Sequence, residues 1–110
     1  ELARLCDENI ADLVLTTGGT GLAPRDVTPE ATLAVIERQC PGIPEAMRAF
    51  SMQLTKRAML SRAVAGTRKQ TLIINMPGST KAVRECLECI IGQLEHGLDI
   101  LTAKAGECAR

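Results

Sequence analysis

The sequence predicts an α/β domain in which parallel strands end in ligand-facing turns, and three observations carry that expectation. Two short apolar runs, Asp12-Leu13-Val14-Leu15-Thr16-Thr17 and Thr71-Leu72-Ile73-Ile74-Asn75, read as strands, the first as a buried strand of a parallel sheet. Each stops at a glycine-bearing turn, Gly18-Gly19-Thr20-Gly21 and Met76-Pro77-Gly78-Ser79. Each turn then leads towards a helix start, and strands alternating with helices define the α/β class. Ligands in such sheets bind beyond the carboxyl ends of the strands.

The elements follow in order. Leu2, Leu5 and Cys6 lie on one side of residues 1–9, with Glu1, Arg4, Asp7 and Glu8 on others, as in the end of an amphipathic helix. After the first strand and its glycine turn, Thr28-Pro29-Glu30 suits a helix start, with Thr28 as cap and Pro29 in the first turn. That helix is expected to reach Gln39, with Leu33, Ile36 and Ala34 inward, and Cys40-Pro41-Gly42 ends it. Pro44 opens a helix over 44–54 with Ala46, Met47, Phe50 and Leu54 at helical spacing. Residues 62–66 alternate loosely as a strand, and Thr67-Arg68-Lys69-Gln70 turns the chain into the strand at 71–75. Ser79 or Thr80 caps a long helix to about Ala103, striped by Val83, Leu87, Ile90, Leu94, Leu98 and Leu101, and the chain after Lys104 is expected to fray.

The 110 residues suffice for one domain, and 45% apolar content suffices for its core. The chain opens on a helix, so an upstream β-α unit of roughly 30 residues or more is expected to be missing or supplied differently. One Phe and no Tyr or Trp leave no stacking platform for nucleic acid. Thirteen basic and thirteen acidic residues give no global field toward DNA or an anionic membrane. No apolar run approaches the roughly 18 residues that span a bilayer, and no signal-peptide pattern is present. Five cysteines at irregular spacing read as reduced thiols of a cytoplasmic protein, and Cys86-x-x-Cys89, with no second pair, reads as helix packing rather than a zinc or redox site.

Four features could carry chemistry. Thr16-Thr17-Gly18-Gly19-Thr20-Gly21 offers backbone N–H groups and hydroxyls to a phosphate or other anion, without Walker or dinucleotide spacing; a tight structural turn is the alternative. Asp26, on the same loop crossing, could hold Mg²⁺, accept a proton, or pair with Arg25 at the surface. Asn75-Met76-Pro77-Gly78-Ser79 makes a second anion site or an ordinary capped helix start. Finally, no Asp or Glu occurs from Ala46 through Arg84, while Arg48, Lys56, Arg57, Arg62, Arg68, Lys69, Lys81 and Arg84 do. A local positive field of that kind suits a small, multiply charged anion; a solvated basic face or a subunit contact are the alternatives.

Taken together, Thr16-Thr17-Gly18-Gly19-Thr20-Gly21, Pro24-Arg25-Asp26-Val27-Thr28-Pro29-Glu30-Ala31-Thr32, Met59-Leu60-Ser61-Arg62 and Leu72-Ile73-Ile74-Asn75-Met76-Pro77-Gly78-Ser79 resemble the molybdopterin-binding domain of molybdenum-cofactor biosynthesis. The likeness is to molybdopterin adenylyltransferases and the amino-terminal domain of gephyrin, from about Leu2 to Leu101. It implies a three-layer α/β/α domain with a mostly parallel sheet, of which residues 1–110 form the carboxyl-terminal two-thirds. It implies a homotrimer that transfers AMP from Mg-ATP to molybdopterin and releases pyrophosphate, with a molybdate-inserting enzyme as a further partner; a non-catalytic binding or scaffold domain is the alternative. Asp26 then maps to an essential acid and Mg²⁺ ligand. Thr17, Gly18, Gly19, Thr20 and Gly21 map to the substrate loop, Pro77, Gly78 and Ser79 to the opposite wall, Ser61 to the pterin side, and Glu30 and Asn75 to substrate binding. Family members carry a second acid before the position of Glu1, and Pro-Gly-Asn-Pro where this chain has Pro77-Gly78-Ser79-Thr80.

Overall fold

A computed structural model describes residues 1–102. In chain order the elements are helix α1 (Leu2–Asp7), strand β1 (Leu13–Thr17), helix α2 (Thr28–Leu33), strand β2 (Arg38–Gln39), helix α3 (Gly42–Met52), a 3₁₀ turn (Lys56–Leu60), strands β3 (Ala65–Arg68) and β4 (Thr71–Met76), and helix α4 (Thr80–Leu101). The four strands lie in the order β1-β4-β3-β2.

The α/β class holds, but the expected parallel majority does not. Only β1 and β4 pair in parallel; β4–β3 and β3–β2 are antiparallel. The cause is the tight turn at 69–70, where Lys69 takes φ +53°; so short a connection can only return a strand antiparallel to its neighbour. Thr67 and Arg68, expected in that turn, are the end of β3. β1 is likewise an edge strand among the described residues rather than a buried one, and its Leu15 is exposed.

Strand alternation divides the core. Ile74, Met76, Leu72 and Ala65 face α3 and α4, where Met47, Cys86, Ile90 and Leu94 complete the apolar cluster. Asn75 and Arg68 face the other way: Asn75 bonds Thr32 of α2, and Arg68 bonds Asp7 of α1 and the Val35 carbonyl. Helices therefore cover both faces of the sheet, in three layers.

Two helices depart from expectation. α2 stops at Leu33 because the following backbone is drawn to the β3 edge: Glu37 N–H donates to the Thr67 carbonyl and Cys40 N–H to that of Ala65, both at 2.8 Å. α2 buries Pro29 and Thr32 and leaves Leu33 exposed; its cap position is Val27, with no side-chain cap from Thr28. α3 begins at Gly42 and ends at Met52, burying Pro44 and Met47 and leaving Ala46 and Leu54 exposed. In α4 the Ser79 hydroxyl accepts from the Ala82 N–H at 3.2 Å, the expected cap. The expected fraying after Lys104 lies outside the described residues.

Ile74 has no exposed surface. Ile74→Ala removes three buried carbons from a packed layer and should cost about 2–5 kcal/mol, read as a lower urea midpoint with an unchanged m-value.

Candidate functional site

β1 and β4 are paired from Leu13↔Leu72 to Thr17↔Met76, so both strands end at the same level. The two glycine turns consequently emerge side by side. Gly18 N–H donates to the Met76 carbonyl at 3.1 Å. Gly18 and Gly19 take φ +82° and +71°, the left-handed region that glycine enters without strain. A Cβ on Gly78 would lie 3.4 Å from the Gly18 Cα, so the two turns touch backbone to backbone. Thr28 N–H donates to the Gly19 carbonyl at 3.1 Å, which seats the glycine turn on the start of α2.

A cavity of about 310 Å³ opens beside this contact. Thr20, Gly21, Asn75, Pro77 and Gly78 form its sheet-end wall, and Ser61 lines it from the segment before β3. Met47, Arg48 and Ser51 of α3, Arg57 of the 3₁₀ turn, and Glu85 and Cys86 of α4 close the other sides. Six of the twelve site residues expected from the sequence thus share one cavity, and Gly18 and Gly19 are not among those that line it. Thr17 instead lines a neighbouring groove between β1 and α4, which Gly78 also borders. The Ser79 hydroxyl is spent on its helix cap.

Asp26 stands one residue behind the wall. Its Oδ2 accepts from the Ala23 N–H at 3.1 Å and lies 2.9 Å from where a Cβ on Gly21 would be. Its other carboxylate oxygen has no hydrogen-bond partner among the described residues. Glu30 is also outside the cavity; its carboxylate pairs with Arg62. The hydrogen bond from that guanidinium holds the Glu30 carboxyl below the usual glutamate range. Among the described residues no group of three or more His, Cys, Asp or Glu side chains clusters in metal-binding fashion.

Asn75 proves to be the keystone beneath the cavity. It is fully buried. Its amide nitrogen donates to Thr16 Oγ1 at 3.0 Å and Thr32 Oγ1 at 2.9 Å, and its amide oxygen accepts from the Val64 N–H at 3.1 Å. One side chain thereby ties β1, α2 and the entry to β3 to the end of β4. The Thr16 and Thr32 partners were not evident from the sequence; the only local sign was a polar residue ending an apolar strand.

The basic stretch divides on folding. Arg62 pairs with Glu30, and Arg68 and Lys69 share Asp7. Arg48 lines the cavity and donates to the carbonyls of Ala63 (2.9 Å) and Ser61 (3.4 Å). Arg57 also lines it and has no ion-pair partner among the described residues. Of the basic stretch, Arg48 and Arg57 line the cavity, with Glu85 opposite in sign, and Arg84 lines the neighbouring groove. Cys86 Sγ lies 3.7 Å from Ser51 Oγ, and burial pushes its thiol up, which keeps it protonated at neutral pH.

An α/β domain with a cavity between two glycine turns at parallel strand ends is a ligand-binding architecture. The chain belongs to the family described as a probable molybdopterin binding domain, whose model matches residues 1–96. A molybdopterin adenylyltransferase of Helicobacter pylori is 48% identical over 100 residues, 91% of this chain and 57% of that protein. Gephyrin of Dictyostelium discoideum is 50% identical over 92 residues, 84% of this chain and 13% of that one. The solved structure of the molybdopterin biosynthesis enzyme MoaB from Thermus thermophilus superposes with a TM-score of 0.85 at 50% identity, covering 93% of this chain and 64% of that one. The chain spans little more than half the length of the Helicobacter enzyme.

Asn75→Ala strands the part-buried Val64 N–H and removes the donor shared by two threonine hydroxyls. It should lower stability by about 2 kcal/mol or more in urea titration and raise amide exchange at Val64. Glu30 gives the acid limb a distinct component. Its depressed carboxyl means that the unfolded chain binds more protons, so stability from the Arg62 contact is complete above the usual glutamate range and lost as pH falls through the lowered value. Glu30→Gln should flatten that part of the thermal-stability profile at low salt and leave the neutral region nearly level.

Proposed function

We propose that the protein is a molybdopterin adenylyltransferase of molybdenum-cofactor biosynthesis, which transfers AMP from Mg-ATP to molybdopterin and releases pyrophosphate. The contact of Gly18 with Gly78 carries the reading: it sets the glycine turn against the proline-glycine turn beside one cavity, which Arg48 and Arg57 also line. The identity to enzymes of that name supports it.

In the reaction a phosphate oxygen of molybdopterin bonds to the α-phosphorus of ATP while the bond from that phosphorus to the pyrophosphate oxygen breaks. Phosphoryl chemistry of this kind needs alignment and charge neutralisation more than covalent help. The N–H groups of Gly19, Thr20 and Gly21 orient phosphate oxygens with the Thr20 hydroxyl beside them, while the Gly18 N–H is spent on the Met76 carbonyl and Thr17 borders the adjoining groove. Pro77 and Gly78 form the opposing wall, Ser61 borders the pterin side, and Arg48 and Arg57 attract the anionic ends. Asn75, Glu30 and Ser79 serve through the bonds that shape these walls.

Asp26 is the residue assigned to magnesium. Its free carboxylate oxygen fits that duty, because Mg²⁺ takes one or two carboxylates together with substrate phosphates. When bound, the ion neutralises charge on the phosphates. We further propose a homotrimer working in the cytoplasm, where free thiols such as Cys6, Cys40, Cys86 and Cys89 stay reduced, with a molybdate-inserting enzyme as the next partner.

Asp26→Asn should lower kcat for pyrophosphate release by about a hundredfold or more while molybdopterin still binds. A coupled pyrophosphate assay with fluorescence binding checks both. Full turnover in the variant would remove Asp26 from the mechanism, and pterin uptake with no pyrophosphate from the wild type would make the protein a binding domain instead. Light scattering reads the trimer.

A further inference from the structure

Arg62 makes the densest set of polar contacts around the loop that carries Asp26. Its backbone N–H donates to the Thr20 carbonyl at 2.8 Å, and its Nε donates to the Gly21 carbonyl at 2.8 Å. One terminal nitrogen donates to the Asp26 carbonyl, and the guanidinium pairs with the Glu30 carboxylate. The loop at 20–30 contains no helix until Thr28 and no strand. Its own bonds close the turn at 23–26, where Asp26 N–H donates to the Ala23 carbonyl at 2.8 Å and Ala23 N–H to Asp26 Oδ2. They also close its foot, where Thr28 N–H donates to the Gly19 carbonyl, but none of these ties the turn to the strip before β3. Arg62 spans the loop at the start, the middle and the end.

The strip that bears Arg62 is itself anchored. Arg48 donates to the carbonyls of Ser61 and Ala63, one residue to either side of Arg62. Val64 N–H bonds the Asn75 side chain, and Asn75 N–H bonds the Val64 carbonyl at 3.0 Å. A guanidinium held on so fixed a base sets the position of whatever it grips. Lysine could not do this, since a point charge lacks the planar fork that reaches two carbonyls and a carboxylate together.

We propose that Arg62 is a positioning residue for the adenylyl-transfer site: it fixes Asp26 relative to the cavity by clamping the loop at 20–30, with Glu30 holding the guanidinium in register. The claim rests on the proposed activity for its kinetic arm, and on the loop geometry alone for its exchange arm.

Hydrogen exchange and steady-state kinetics on wild type, Arg62→Ala, Arg62→Lys and Glu30→Gln test it. Arg62→Ala should speed exchange within 21–27 by about tenfold or more while β4 and α4 keep their protection. Its kcat should fall by about a hundredfold, as displaced catalytic groups cost, with KM for Mg-ATP moved by less than about threefold. Millimolar guanidinium ion should restore part of that kcat, with no effect on wild type or Asp26→Asn. Arg62→Lys and Glu30→Gln should fall between wild type and Arg62→Ala in loop exchange, and they decide the question if Arg62→Ala fails to fold. Unchanged loop exchange, or faster exchange spread through β4 without guanidinium rescue, overturns the proposal. Were the wild type to release no pyrophosphate, the proposed activity would fail, and the exchange arm would still decide whether Arg62 holds the loop.

Discussion

The parallel register of β1 on β4 is the constraint on which the site depends. Five residue pairs, ending at Thr17↔Met76, bring two chain segments more than 50 positions apart to the same level. The glycine turn and the proline-glycine turn begin at the next residue on each strand, so their contact follows from the register. A slip of one residue would turn every β1 side chain to the opposite face and part Gly18 from Gly78. Asn75 blocks such a slip, because its bond to Thr16 Oγ1 exists only when those two residues are opposed.

The antiparallel return of β3 matters as much. With Ala65 opposite Ile74, the chain before β3 runs out past the end of β4, toward the glycine turns. Ser61 and Arg62 therefore reach the cavity rim and the Asp26 loop. A parallel β3 would have carried them to the far end of the sheet. The departure from an all-parallel arrangement is what lets a third segment join two strand-end turns in one site.

These two facts mark how far the residue pattern could be read. β4, the glycine turns and the long helix were legible because apolar periodicity, glycine and a serine cap are local signals. The short β2 was not. Residues 34–39 continue a helical pattern, and only the open edge of β3 diverts them. The cavity walls at Thr20, Gly21, Pro77 and Gly78 were visible as turn chemistry. The partners of Asn75 were hidden, since Thr16 and Thr32 lie 59 and 43 positions away. Arg62 read as one cation in a basic run and as the end of the Met59-Leu60-Ser61-Arg62 motif; its grip on the loop, with Arg48 and Arg57 left on the cavity, depends on folding.

The site is consequently held by two kinds of bond that respond differently to their surroundings. At its base, the Asn75 amide works in a fully buried setting where neutral hydrogen bonds are strong and salt does not reach. At its rim, the Arg62–Glu30 pair is partly exposed, with 34% and 58% of the two side chains accessible, and is open to ionic screening. Salt or acid therefore weakens the Arg62–Glu30 pair before it disturbs the contact between the glycine turns. The strand ends are held by bonds that salt does not reach, and the acidic loop beside them in part by one that it does. That division leaves the cavity wall and the carboxylate loop beside it with different sensitivities to ionic strength.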